Sequence, residues 1–128
     1  MPTKSVIRPA QAAPPVGPYS HGVRFGDLLF CSGQIPIDPA NPSAPIAGDI
    51  RAQTHRVLQN VKAILDDQGL AFGNVVKSTV FLTNLADFAA MNEVYAHYFV
   101  SDFPARSTVQ VAALPRGASV EIETIAHY

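Results

Sequence analysis

At 128 residues the chain suits one domain with a full core, and a net charge of −1 with 9 Lys and Arg gives no electrostatic footprint for nucleic acid. Charged residues make up 15%, against about 25% in an average globular chain, and 48% are hydrophobic, so part of the apolar surface is expected to lie between subunits. No run approaches the roughly 20 apolar residues of a membrane span, Met1 to Ala13 lacks the apolar stretch of a secretory signal, and the single cysteine, Cys31, excludes an internal disulfide and suits a reducing cytosol.

Residues 1–18 read as an extended arm punctuated by Pro9, Pro14, Pro15 and Pro18. Tyr19 to Arg24 and Leu28 to Ser32 read as a hairpin turning at Phe25-Gly26-Asp27, and a third short strand is expected near Ile35 and Ile37. Pro39, Pro42 and Pro45 then impose a loop up to Gly48. Asp49 is a helix N-cap, Ile50, Val57, Leu58, Val61, Ile64 and Leu65 share one helical face, and Gly69 suits the residue past the helix end. Val75 to Thr83 is β-branched and reads as a strand. A second helix begins near Asn84 or Asp87, carries Phe88, Met91, Tyr95, Tyr98 and Phe99 inward, and stops before Pro104.

The last stretch carries the most chemistry. Val109 and Val111 set a period of two, as do Val120 and Ile122, and Pro115 and Gly117 mark a turn between them. Arg106, Thr108 and Gln110 have the opposite parity in the first strand, Glu121 and Glu123 in the second. If the strands pair as a hairpin across an even-length turn, Arg106 and Glu121 share a sheet face. An arginine at a strand mouth and a carboxylate inside an apolar strand are the start of a site for a small carboxylate. The element order predicts an α+β fold: a mixed sheet of about six strands with two helices on one face, as a single domain over 1–128.

Several segments together resemble the RidA/YjgF family of reactive-intermediate imine deaminases. They are Gly17-Pro18-Tyr19, Ser32-Gly33-Gln34-Ile35-Pro36, Gln53 to Leu65, Val76-Lys77 through Val80-Phe81, Asn92-Glu93-Val94-Tyr95, Pro104-Ala105-Arg106-Ser107 and Val120-Glu121-Ile122-Glu123. Their joint order and spacing, over nearly the whole chain, is specific. The resemblance implies a chorismate-mutase-like subunit, a cytoplasmic homotrimer with clefts between subunits, and hydrolysis of 2-imino acids to 2-oxo acids and ammonia without metal or organic cofactor. The imines and their enamines arise from pyridoxal-phosphate dehydratases acting on serine or threonine. One departure stands out: Thr108 occupies a position where the family often has cysteine.

On this resemblance Arg106 grips the substrate carboxylate and Glu121 holds and polarises the attacking water. By residue type alone each is an ordinary surface position on a strand. Tyr19 is expected to line the cleft, contributed from a neighbouring subunit of the implied trimer, or to be an amphipathic interface residue, or both. Gly33 either lets backbone approach the ligand or is a turn glycine. Asn92 puts an amide on an apolar helix face, where bracing of nearby backbone is favoured over substrate contact. Thr108, of Arg106's parity, is a pocket-lining candidate. Cys31 reads as a core residue. His21, His55, His97 and His127 show no metal-ligand spacing, and no phosphate loop or dinucleotide fingerprint is present. Two other functions stay open: a binding protein for 2-oxo acids without chemistry, and an endoribonuclease, against which the weak basic content argues.

Overall fold

The structure, a computed structural model, describes residues 3–128. Six strands form one sheet in the order β1-β2-β3-β6-β4-β5: β1 Ser5–Ile7, β2 Gly22–Phe25, β3 Leu28–Gln34, β4 Val75–Leu82, β5 Ala105–Gln110 and β6 Val120–His127. Helix α1 (Ile50–Asp67) enters after β3 and α2 (Phe88–Tyr98) after β4. Among the described residues only β4 and β5 run parallel, joined by the crossover through α2; the other pairs are antiparallel.

The helices form where capping and periodicity coincide. The Asp49 side chain accepts from the Ala52 amide at 2.9 Å, and Gly69 leaves α1 with a left-handed φ of 69°. Val57, Leu58, Val61, Ile64 and Leu65 are fully buried against Leu29, Cys31, Val80, Leu82, Val120, Ile122 and Ala126. On α2, Met91, Tyr95 and the following Phe99 are buried, Tyr98 is half-buried and Phe88 stays exposed. Both helices cover one sheet face. The other face keeps Leu28, Phe30, Val76 and Val109 exposed.

Three expectations of the sequence are corrected. The extended arm contains a strand that was not singled out: Ser5–Ile7 pairs with β2 at the sheet edge, Ile7 being buried (residues 1 and 2 of that arm lie outside the described residues). The first hairpin begins at Gly22 rather than Tyr19. Ile35 and Ile37 form no strand. They bury themselves in a small second core with Ala13 and Ala118, and the Asn60 amide donates to the Ile35 and Ile37 carbonyls at 3.1 and 2.8 Å.

The larger correction concerns the terminal strands. β5 and β6 do not pair; β4 lies between them. After β5 the chain bonds Val111 N–H to the Leu82 carbonyl, passes a turn at Pro115–Gly117, and returns with the Ser119 carbonyl accepting from Thr83 N–H. The segment thus wraps the end of β4. Burial explains the choice: Val120, Ile122 and Ala126 need cover from α1 and take a central position, whereas β5 has few buried side chains and can stand at the edge.

Candidate active site

The register decides where the two key residues point. Arg106 is level with Ser78 of β4, which is level with Thr124 of β6; Ser78 and Thr124 are buried on the helix-covered face. Glu121 is level with Phe81 and Val109, on the open face. Residues opposite one another across a ladder share a face, so Arg106 and Glu121 lie on opposite faces of one subunit's sheet. The shared face expected of a hairpin fails because an intervening strand, with its own register, separates the two.

Each residue sits in its own cleft. Arg106 shares a cavity of about 350 Å³ with Asn92, Tyr95, Ala96, Phe103 and Pro104. Its guanidinium carbon lies 4.7 Å from the Tyr95 ring centre and 5.6 Å from that of Phe88. The ion pairs among the described residues are Arg51–Glu93 and Lys62–Asp66, so none of these residues' acids pairs with Arg106. Thr108 shares Arg106's face, and its Oγ1 is buried without a partner among the described residues. Asn92 lines this cleft, while the bracing expected of it is performed by Asn60.

Glu121 shares a second cavity, about 330 Å³, with Val16, Tyr19, Ser32, Gly33, Pro115 and Glu123. Burial pushes its carboxyl above the usual glutamate range, and the negative charge of Glu123 adds to the rise. Gly33 is needed here for space. A Cβ at that position would collide with Glu121 Oε2 and stand 2.9 Å from the carboxyl carbon. The close approach comes from an irregularity: between Cys31 and Gln34 the β3–β6 register shifts, leaving Ser32 and Gly33 without partners on β6. Ser32 is tied down, its Oγ donating to the Ser20 carbonyl and its N–H to that of His21. Tyr19 is exposed at the rim, and its hydroxyl accepts from Val16 N–H at 3.1 Å.

The residues expected in the site thus fall in two clefts, and Arg106 and Glu121, expected on one face, are parted. Sequence reasoning missed Phe103 and the contact of Tyr95 with Arg106, which no spacing signals because α2 and β5 meet only in the fold. The strand expected to end at Ser32 continues to Gln34, so Gly33 lies inside β3 at a bulge rather than in a turn. A further cavity of about 380 Å³, between Pro9, Gln11 and α1, is edged by the exposed Lys62–Asp66 pair and gathers no buried polar group. Cys31 is a buried core residue whose thiol burial pushes up.

Comparison with known proteins agrees with this architecture. The profile of the family described as Endoribonuclease L-PSP matches residues 10–128. The protein DfrA of Myxococcus xanthus is 51% identical over 125 residues, covering 96% of this chain and 95% of DfrA. A RutC family protein of Pyrococcus abyssi is 48% identical, covering 97% of each. Among solved structures, TdcF of E. coli with bound serine superposes with a TM-score of 0.91 at 43% identity, covering 97% of this chain and 98% of TdcF. RidA of the Antarctic bacterium Psychrobacter superposes at 0.92 with 40% identity, covering 97% and 99%. The chain belongs to the Endoribonuclease L-PSP family, the RidA/YjgF family, and has its mixed six-stranded, two-helix fold.

Proposed function

We propose that the protein is an imine deaminase that hydrolyses 2-imino acids, in equilibrium with enamines such as 2-aminoacrylate, to 2-oxo acids and ammonia. It works in the cytoplasm as a homotrimer. The Arg106 cleft of one subunit faces the Glu121 cleft of the next, so that the site is complete only between subunits. One observation carries this reading. A subunit bears a free guanidinium in one cleft and a partly buried carboxylate of raised pKa in another, on opposite sheet faces.

The chemistry needs little more. Arg106 presents a planar fork of donors to the substrate carboxylate and so fixes the adjacent imine carbon. On the N-protonated imine, Glu121 takes a proton from water as the water oxygen bonds to that carbon and the C=N π pair moves to nitrogen, giving a neutral carbinolamine. Its raised pKa lets Glu121 return that proton to nitrogen. The C–N bond then breaks, ammonia leaves, and the hydroxyl proton passes to the Glu121 carboxylate and on to solvent as the 2-oxo group forms. Tyr19, Gly33, Asn92 and Thr108 shape the cleft around the substrate. Positioning and proton transfer supply the acceleration.

A coupled assay tests this. A dehydratase generates imine from serine or threonine, and 2-oxo acid formation is followed with and without the protein. Faster formation, at catalytic amounts of protein, is expected; equal rates overturn the proposal. A second reading, binding of small carboxylates without chemistry, draws on the free guanidinium of Arg106 and on the serine bound to the related TdcF. It predicts 2-oxobutanoate binding without rate enhancement. An endoribonuclease would show RNA affinity falling steeply with salt; with a net charge of −1 no such affinity is expected.

A further inference from the structure

We infer that Tyr95, tied to Ser78, is a positioning residue that together with Phe88 seats the Arg106 guanidinium and presents its donors to the carboxylate of the ligand. The inference rests on Arg106 being the carboxylate clamp, and it adds how that clamp is held.

Arg106 lies on an edge strand, where a long side chain has many rotamers to lose on binding. An acidic partner would order it but would also occupy its donors and cancel its charge. No ion pair of the described residues includes it. The guanidinium instead lies near two aromatic rings, at 4.7 and 5.6 Å. The ring quadrupole attracts the cation through the ring face, and apart from a contact with the Tyr95 hydroxyl the guanidinium N–H donors stay available to a carboxylate.

Tyr95 is itself fixed. Its hydroxyl is hydrogen-bonded to Ser78 Oγ at 2.7 Å in a buried position, and its ring stacks on Phe99 at 4.3 Å with planes 22° apart. Ser78 stands on β4 directly beside Arg106 in the ladder. The strand pair that places Arg106 therefore also places the group that orients its aromatic seat. Burial raises the Tyr95 phenol above its ordinary range, so the ring remains neutral beside the cation. Phe88, on the first turn of the same helix, is exposed and can be removed without opening the main core.

The test combines calorimetric binding of 2-oxobutanoate with KM and kcat for the imine, on folded oligomer. Tyr95→Leu should weaken 2-oxobutanoate binding and raise KM by about three- to thirty-fold, the range of a cation–π contact. It should change kcat by much less. Phe88→Ala should show the same pattern more weakly. Tyr95→Phe and Ser78→Ala should each cause a small loss that does not add when combined, because they break one and the same hydrogen bond. In an Arg106→Gln background, measured at millimolar ligand, Tyr95→Leu should have no further effect on binding. The inference is overturned if Phe88→Ala and whichever Tyr95 variants fold bind 2-oxobutanoate like wild type. It is equally overturned if Tyr95→Leu weakens binding as much with Arg106→Gln as without it, since the loss would then be one of packing. If Tyr95→Leu does not fold, Tyr95→Phe, Ser78→Ala and Phe88→Ala decide the matter alone. If Arg106→Gln binds 2-oxobutanoate as tightly as wild type, the carboxylate clamp itself falls, a failure distinct from that of the seat.

Discussion

Arg106 and Glu121 differ in what they can lose. Arg106→Lys keeps the charge but not the fork; losing a charged hydrogen bond costs about 1.5–3 kcal/mol, roughly ten- to a hundred-fold in kcat/KM. Product binding should fall with it. Glu121→Gln keeps the shape and removes the proposed base, so turnover should drop while 2-oxobutanoate still binds. Steady-state kinetics beside product calorimetry separate the two. An Arg106→Lys protein equal to wild type in both would remove the clamp from the mechanism.

Glu121 also makes a pH prediction with a defined sign. Its folded pKa lies above the ordinary glutamate value, so between the two the native state holds more protons than the unfolded one. Stability from this group is therefore greatest below that window and falls as pH rises through it. The proposed catalysis runs the other way, since Glu121 acting as base must be ionised: kcat should decline as pH falls through the raised pKa. Glu123→Gln removes the neighbouring negative charge and should move that acid limb to lower pH. A kcat–pH profile unmoved by the substitution would detach Glu123 from Glu121. At Thr108 the buried, unpartnered hydroxyl contributes desolvation cost without a hydrogen bond. Thr108→Val and Thr108→Cys should both retain substantial activity, and melting of Thr108→Val should be unchanged or higher. Lost turnover in Thr108→Val alone, with assembly intact, would assign the hydroxyl a direct role.

At the scale of elements, the bulge in β3 positions the carboxylate. Gly33 is demanded by the space that Glu121 takes, not by a left-handed backbone. Gly33→Ala must push the carboxylate aside, and a displacement of about 1 Å in a catalytic group costs about a hundred-fold. The expected result is a large fall in kcat with little change in melting temperature; wild-type kcat would mean that Glu121 acts from another position. The helices were legible because capping and a 3.6-residue period are local signals, and Asp49 and Gly69 lie where those signals put them. Asn92 and Asn60 show where local reading stops. Both are amides on helices that face the sheet, yet Asn60 braces Ile35 and Ile37 while Asn92 opens into the Arg106 cleft. Which amide braces depends on a loop whose path is set by the second core.

The whole molecule has a sheet covered on one side only. Leu28, Phe30, Val76 and Val109 remain exposed on the other, in a chain with 15% charged residues. We expect this face to meet its copies in a trimer that brings the two clefts together. Light scattering at micromolar concentration should report about three times 13.7 kDa. Phe30→Asp should shift that mass toward the single chain and abolish deamination together. A 13.7 kDa wild-type species that is fully active would overturn the composite site.

The sequence by itself determined the two helices, the alternation within the last two strands and the family, because caps, periods and motif spacing are properties of neighbouring residues. It also determined that Arg106 and Glu121 each lie opposite in parity to the valines and isoleucines of their own strands. The tertiary structure alone decided that β4 separates β5 from β6, and hence that the two side chains leave opposite faces of the sheet. Parity is carried along a strand by its pleat, but a strand's neighbour is chosen by burial. Val120, Ile122 and Ala126 are covered by α1 only from a central position, and Pro115 to Gly117 permit the detour round β4 that puts them there.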